Sequence, residues 1–387
     1  MQNSLPDAVE QDLTRFERFY DQSLKADAAA WYREGRLPKS YFRLMGENGW
    51  HGFVMEKGRM VKRSASREAA LAEKLASYYP GLAVADLAHM DLGCMGLYLF
   101  GSAFLKTSYG QDVIAGEKVM CLGNTENLAG SDVAAIALSA TPTDGGWLLN
   151  GTKAYVTNGY LADLGIITAV TDPDAPRSRR LSMFLVDLSL PGVTRKKLDK
   201  HVWIPSDLTR LQFNHVRVPA DHLLGERGRG LLQVLSIFTH SRVAISALTL
   251  GTARGAFEKA IDHAGKRAVF GRKLLSMQAK AFEAADFYAR MEASRLMIEK
   301  ACQRMDQGQD FKLEASMAKY LTVDIARKVT AWAADVFGAA SVMYGHPIHK
   351  FPMDAWASAL GEGTQDVQKL IIFREMIRRQ FNLKPDL

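Results

Sequence analysis

Cysteine is scarce in this chain: three in 387 residues, Cys94, Cys121 and Cys302, far apart and odd in number. That spacing excludes a disulfide framework and a cysteine-built metal site, and it suits a reducing compartment. Also missing is an uninterrupted apolar run of the roughly 18 residues that a membrane span needs. The N-terminal stretch MQNSLPDAVEQDLTRFERFY has early acids and no apolar core, so it reads as neither a secretory signal nor a transit peptide. A cytoplasmic protein without a membrane span is expected.

Several catalytic signatures are absent too. There is no Walker phosphate loop, no HExxH pair and no serine in a GxSxG elbow, so P-loop, zinc-protease and serine-hydrolase chemistry have no foothold. Gly225, Gly228 and Gly230 in GERGRG are in the wrong order for a dinucleotide fingerprint and read as a loop leading into a helix. His240, His346 and His349 stand alone and read as structural; no metal site is expected.

What is present is an ordinary globular balance, 48% hydrophobic and 24% charged, over a length that suits two or three modules. Basic residues outnumber acidic ones 49 to 42, for a net charge of +7. They are scattered and not interleaved with aromatics, which speaks against nucleic acid. A modest positive surface aids solubility, or suits an anionic ligand or partner such as a nucleotide, a CoA-like phosphate or an acidic carrier protein.

Three textures follow one another. Residues 1–118 read as a helical domain, with Leu13, Phe16, Phe19 and Tyr20 on one face and an Ala-, Leu- and Glu-rich stretch at 68–78. Residues 119–228 read as a β domain of short strands. Ile166 to Val170 and Met183 to Val186 look buried, 211–213 and 216–218 half-exposed, Pro219 stops pairing, and Asn150-Gly151 signals a hairpin turn. Residues 229–387 read as a helical bundle. Its two apolar stripes, Phe282/Ala285/Ala289/Ala293/Leu296 and Met317/Leu321/Ile325/Val329/Trp332, are expected to face the core. The order helical, β, helical gives an α+β multidomain fold rather than alternating βαβ units.

Four constellations can carry chemistry. Thr125-Glu126-Asn127-Leu128-Ala129-Gly130-Ser131-Asp132 gathers small and hydroxylated residues that can offer N–H and O–H groups to a phosphate or carbonyl. In Asn150 to Gly159, alternation puts the Tyr155 ring and the Thr157 hydroxyl on one face, where they could meet a flat ring. Arg267-Ala268-Val269-Phe270-Gly271, followed by Gln278, offers a guanidinium suited to phosphate. Gly361-Glu362-Gly363-Thr364 presents a carboxylate whose glycine neighbours, Gly361 and Gly363, leave room for a substrate, before a helix start near Thr364.

Together, and in this order, they resemble the acyl-CoA dehydrogenase family. TENLAGSD resembles its TEPxAGSD, NGTKAYVTNG its NGxKxWITNG, 267–278 its RxxFGxxLxxxQ, and Glu362-Gly363-Thr364 its EGT base motif. The spacing at 101–117 and VRVP at 216–219 extend the likeness over most of the chain.

The resemblance implies an N-terminal helical domain, a middle β domain and a C-terminal four-helix bundle, with FAD between the last two. It implies a homo-oligomer, a tetramer or dimer. Thr125 and Ser131 would hold the flavin or its phosphates, Ser131 also meeting substrate. Tyr155 would lie against the ring, Thr157 bond near its N5, and Thr364 contact FAD. Arg267, Phe270, Gln278 and Gly338 would reach the FAD of a neighbouring subunit. Glu362 would take the α proton of an acyl thioester while the β hydride passes to flavin N5, with the thioester oxygen held by a ribityl hydroxyl and the Glu362 N–H. Some members carry the base just before a recurring arginine, here Arg242; that position is Ser241, so Glu362 is the better candidate. An electron-transferring flavoprotein is the acceptor implied.

The chain departs from the pattern at Asn127 for Pro, Tyr155 for Trp, Gly361 for a common Tyr, and Met353 for an Arg before Asp354. The glycine-rich motif that meets a partner's adenine is eroded at 335–342. A substrate tethered to a carrier protein, a flavin monooxygenase on the same fold (which Glu362 argues against) and an FAD-poor binding scaffold therefore stand beside the acyl-CoA reading.

Overall fold

The computed structural model describes residues 7–383. Helices α1 (Asp7–Phe19), α2 (Lys25–Glu34) and α3 (Ser40–Glu47) open the chain. Phe16, Phe19 and Tyr20 are buried with Leu13 packed beside them, the face their spacing predicts. A hairpin, β1 (Phe53–Glu56) with β2 (Arg59–Lys62), then interrupts a region expected to be all helical. Its Lys57-Gly58 turn has both residues at positive φ but lacks the Asn-Gly or Asp-Gly signature. Helix α4 (Ala65–Tyr78) starts at Ser64, whose hydroxyl accepts from the Arg67 N–H. Helix α5 (Pro80–Leu87) begins on a proline and runs through a π-helical turn, Ala88–Cys94, into α6 (Met95–Phe100); α7 (Ala103–Ile114) follows.

The middle region is one eight-stranded sheet of β3 (Met120–Gly123), β4 (Ser139–Thr143), β5 (Gly146–Thr157), β6 (Leu164–Val170), β7 (Leu181–Asp187), β8 (Val193–Lys197), β9 (Leu208–Pro219) and β10 (Leu223–Leu224). The order is β10-β7-β6-β4-β5-β9-β8, with β3 parallel to β6. The runs read as buried strands are the centres of β6 and β7, and all of β6 is buried. The two half-exposed runs are a single strand, β9, which ends at Pro219.

The turn expected at Asn150-Gly151 is elsewhere. Strands β4 and β5 join at Asp144-Gly145, with Thr143 opposite Gly146. Asn150 and Gly151 lie inside β5, where pairing with β9 shifts register between Leu149 and Gly151. Gly151 adopts φ +137°, and a Cβ there would sit 2.9 Å from Leu138 Cα. The glycine serves a bulge and a close approach rather than a turn. Two turn-compatible dipeptides lie six residues apart, and pairing with β9 decides between them.

After the sheet come α8 (Gly230–Lys266), a small hairpin of β11 (Ala268–Val269) and β12 (Arg272–Lys273), α9 (Gln278–Asp306), α10 (Lys312–Phe337), α11 (Lys350–Ala357) and α12 (Gln365–Phe381). Helix α10 packs on α8, α9 and α12, giving the expected four long helices. The stripe ending at Trp332 is mostly inside: Ile325, Val329 and Trp332 are buried, while Leu321 is not. The stripe on α9 is outside. Phe282 and Leu296 are exposed with Ala285, Ala289 and Ala293, and the buried face is Ala284, Met291, Ile298 and Ala301. That helix is apolar on two sides, and apolar spacing alone does not say which side meets the bundle.

Two stretches, Pro80–Phe100 and Gly230–Lys266, have the length and composition of a membrane span, but 72% and 56% of their apolar windows are buried inside the fold. Helix α8 supplies residues to four separate clusters: Ala244, Ile245 and Leu248; Val234 and Ile237; Val243, Ala247, Leu250 and Ala253; Ala256, Ala260 and Ala264. It lies tight against α4 because Gly251 and Gly255 lack side chains. A Cβ at Gly251 would meet Glu73 O at 2.0 Å, and one at Gly255 would meet Ser77 O at 2.2 Å. Both obstacles are backbone, so relief requires moving a helix. Gly251→Ala is therefore expected to lower stability by about 1–3 kcal/mol through overpacking, despite the roughly 1 kcal/mol by which alanine favours a helix over glycine. A urea midpoint equal to wild type would show that α4 and α8 are free to separate.

Candidate functional site

Where the three regions meet, the fold leaves a cleft of about 530 Å³. One wall is α5 with its π turn, through Val84, Leu87, Ala88 and Leu92; α8 adds Leu235, Phe238, Arg242 and Ile245. The sheet side brings Thr125, Ser131, Tyr155 and Thr157, and the turn before α12 brings Gly361, Glu362 and Gly363. Seven residues singled out from sequence thus come together from three distant stretches of chain. Thr364 sits beside them and caps α12, its hydroxyl accepting from the Val367 N–H at 3.5 Å.

Arg267, Phe270, Gln278 and Gly338 are not among the residues lining this cleft. They cluster at the far end of the bundle. Arg267 ends α8, Phe270 tips the β11–β12 hairpin at 95% exposure, and Gln278 opens α9. Gly338 ends α10, where neighbouring Phe337 stacks on His263 at 4.4 Å.

Tyr155 reaches the cleft through a bulge. Pairing of β5 with β9 shifts between Lys153 and Val156, and Tyr155 takes φ +55°. The ring is left 60% exposed while Ala154 and Val156 stay buried. Simple alternation would not place it so.

Beneath this segment lies a buried ion pair. Lys153 is fully buried and donates to Glu126 Oε1 at 2.7 Å and to the Asn124 carbonyl at 3.0 Å. Glu126 also accepts from the Ala137 and Leu138 N–H groups at 2.8 and 2.9 Å. Burial pushes the Lys153 ammonium down to about 8, Glu126 working against the fall. Burial would raise the Glu126 carboxyl, but the Lys153 charge and these hydrogen bonds hold it below its usual value. Glu126 is therefore a strut that fixes Thr125 and the small residues after it.

The segment 200–206, which also lines the cleft, is held by a lysine as well. The half-buried Lys200 ammonium donates to the Val202 and Trp203 carbonyls and to Ser206 Oγ at 2.7, 2.8 and 2.9 Å. Asp354 accepts from the Trp203 N–H, and burial pushes its carboxyl up to about 7, with that bond, Lys200 and Lys350 pulling the other way.

Glu362 sits in a turn whose carbonyls all face donors. Lys319 of α10 donates to the Gly361 and Gly363 carbonyls. Gln368 donates to those of Glu362 and Gly363 at 3.1 and 2.9 Å, and Arg242 Nε to that of Glu362 at 3.3 Å. Glu362 and Gly363 both have positive φ, +49° and +89°. The Glu362 N–H has no partner among the described residues. Burial raises the Glu362 carboxyl above its usual value, opposed by the Lys319 and Arg242 charges. Ser241 is fully buried, donates to the Phe238 carbonyl and stays out of the cleft.

Sequence reasoning missed Lys153, Lys200, Lys319, Trp203 and Gln368 as site-builders. A signal existed for Lys319: it shares the buried face of α10 with Ala315, Ala318, Thr322 and Ala326, and a lysine is out of place on an inner face.

The cleft can take a flat cofactor. Its volume falls within the range of ligand sites. The hydroxyls of Thr125, Ser131 and Thr157 have no partner among the described residues, an aromatic ring stands open beside them, and Trp203 Nε1 is buried and unpaired. A planar, polar-edged group such as FAD fits that donor set.

Comparison with known proteins agrees. The acyl-CoA dehydrogenase N-terminal, middle and C-terminal domain profiles match residues 9–117, 121–216 and 228–377. The chain is 32% identical over 308 residues to the short-chain-specific acyl-CoA dehydrogenase of Megasphaera elsdenii, covering 79% of this chain and 80% of that one. It superimposes on the butyryl-CoA dehydrogenase of the same organism with a TM-score of 0.92 at 28% identity, covering 98% and 100%. With PigA, solved in complex with FAD, the TM-score is 0.91 at 28% identity, covering 97% and 99%. The chain belongs to the acyl-CoA dehydrogenase family and is a flavoprotein oxidoreductase of that type.

Proposed function

We propose that the protein oxidises an acyl-CoA at its α,β bond, with Glu362 as the base that takes the α proton. The observation that carries this reading is the Glu362 turn lining the same cleft as Thr125, Tyr155 and Thr157. FAD, when bound, supplies the acceptor for the β hydride. Thr125, Ser131, Tyr155 and Thr157 would hold it from the sheet side, with Thr364 nearby.

The α proton of a thioester is too weakly acidic for a free carboxylate, so charge developing on the thioester oxygen must be met as it forms. The unpartnered Glu362 N–H is suited to that oxygen, since the carbonyls around it are drawn towards Lys319, Arg242 and Gln368. Burial makes the carboxylate a stronger base than one in water. Gly361 has open space where a side chain would stand, leaving room for the acyl group. Ser131 and Gly363 would line the substrate's path.

Assembly into a homo-oligomer, a tetramer or dimer, would bring Arg267, Phe270, Gln278 and Gly338 to a neighbour's cofactor. The exposed apolar stripe on α9 and the open Phe270 ring favour such an assembly. An electron-transferring flavoprotein would take the electrons onward, and three buried free cysteines suit a cytoplasmic setting.

The test is anaerobic titration of the FAD-loaded protein with acyl-CoAs of several lengths. The flavin absorbance is expected to bleach with at least one of them. The base works only when ionised, so the reduction rate is expected to fall as pH drops through its raised pKa. That acid limb should lie above the ordinary glutamate value of about 4.3. Bound flavin that no acyl-CoA bleaches would point to a carrier-tethered substrate, and failure to bind FAD would sink the reading.

A further inference from the structure

Lys319 is a buried cation whose presence packing does not explain. It is fully buried on α10, and among the described residues its hydrogen-bond partners are the Gly361 and Gly363 carbonyls, with no carboxylate within ion-pair distance. Taking an ammonium out of water costs several kcal/mol unless something compensates. Its hydrogen bonds alone are a weak reason for a charge. Gln368, which is neutral, already serves two of the three carbonyls in the same turn.

Two cations act on the Glu362 carboxyl, each from a different element, Lys319 on α10 and Arg242 on α8, while Glu362 in turn helps to raise the carboxyl of Asp91 in the π turn after α5. Arg242 donates to the Glu362 carbonyl and to Thr239 Oγ1, both at 3.3 Å. Lys319 binds the turn on both sides of the glutamate, so it fixes the backbone and supplies positive charge from one place.

Resting on the proposed role of Glu362 as base, we infer that Lys319 is its positioning residue, holding the turn that aims the carboxylate and supplying the charge that keeps it ready to accept a proton. It touches neither substrate nor reacting atoms and acts through Glu362. The charge opposes the desolvation of the cleft: burial alone would leave the acid protonated and useless as a base, while too strong a counter-charge would leave a poor base.

The test compares Lys319→Gln and Lys319→Met with Lys319→Arg in the FAD-loaded protein. One readout is the acid limb of flavin reduction. A second, independent of turnover, is the infrared carbonyl band of the protonated Glu362 carboxyl, assigned by its loss in Glu362→Gln and titrated against pH. Loss of an opposite charge at close range is expected to move limb and band together to higher pH, by about one to three units. Substrate KM should change less than kcat, and Lys319→Arg should stay near wild type. Folded, flavin-loaded neutral variants with limb and band unmoved would overturn the inference. So would failure of both neutral variants to fold while Lys319→Arg folds, which would make Lys319 structural only. If no acyl-CoA reduces the wild-type flavin, the acyl-CoA reading gives way to a carrier-tethered substrate, and the infrared titration still decides on Lys319.

Discussion

Glu362→Gln is expected to slow anaerobic flavin reduction by about 100- to 10,000-fold, the usual worth of a general base, while leaving FAD content and folding close to wild type. The amide has nearly the same size and shape as the carboxylate. The turn is held through carbonyl oxygens that the substitution leaves in place, by Lys319, Arg242 and Gln368. Glu362 also occupies a left-handed backbone conformation, φ +49°, which costs a non-glycine residue on the order of 1 kcal/mol or more. The neighbouring positions are glycine, yet the strained position carries a carboxylate, as strain tolerated for chemistry would require. Stopped-flow reduction with the acyl-CoA that bleaches the wild type gives the rate. Loss of less than tenfold would place the base elsewhere. Ser241 is a poor replacement, being enclosed and committed to the Phe238 carbonyl.

Lys153→Met is expected to lower stability by about 3–5 kcal/mol, the cost of leaving one member of a buried pair uncompensated, and to weaken FAD binding. The methionine fills the space but leaves Glu126, only 13% exposed, without its cation. Glu126 holds the Ala137 and Leu138 N–H groups and so the stretch between Thr125 and β4. Removing both charges in Lys153→Met/Glu126→Gln should recover part of the loss, because the penalty lies mainly in the orphaned carboxylate. Denaturant midpoints and flavin retention on gel filtration measure both effects. A single variant as stable as wild type, with full flavin, would show that the pair is not what organises this rim.

Motif residues were easier to read than the elements carrying them. Thr125, Ser131, Tyr155, Thr157 and Glu362 were picked out by residue type and local order, which is information a short segment carries, and the fold brings them to one cleft. The buried polar framework behind them was not legible. Lys200 and Lys319 look like surface lysines unless the inward face of each segment is known, and that depends on partners far along the chain. The same limit misplaced the β4–β5 turn, where glycine's tolerance of positive φ serves equally for a turn and a bulge. It also reversed α9, which has two apolar sides in a fold that buries one. The π turn at Ala88–Cys94 leaves no residue-type trace; it depends on how α5 meets the sheet and α8.

A single helix, α8, threads four of the hydrophobic clusters and also walls the cleft. Three modules pinned on one rod cannot swing apart as lobes on a hinge. The walls of the cleft that α8, α5 and the π turn supply are then set by the same packing that joins the three regions, and the cleft cannot be widened without disturbing the cores. Any ligand must be fitted to a cavity of fixed shape, so fit rather than closure does the selecting.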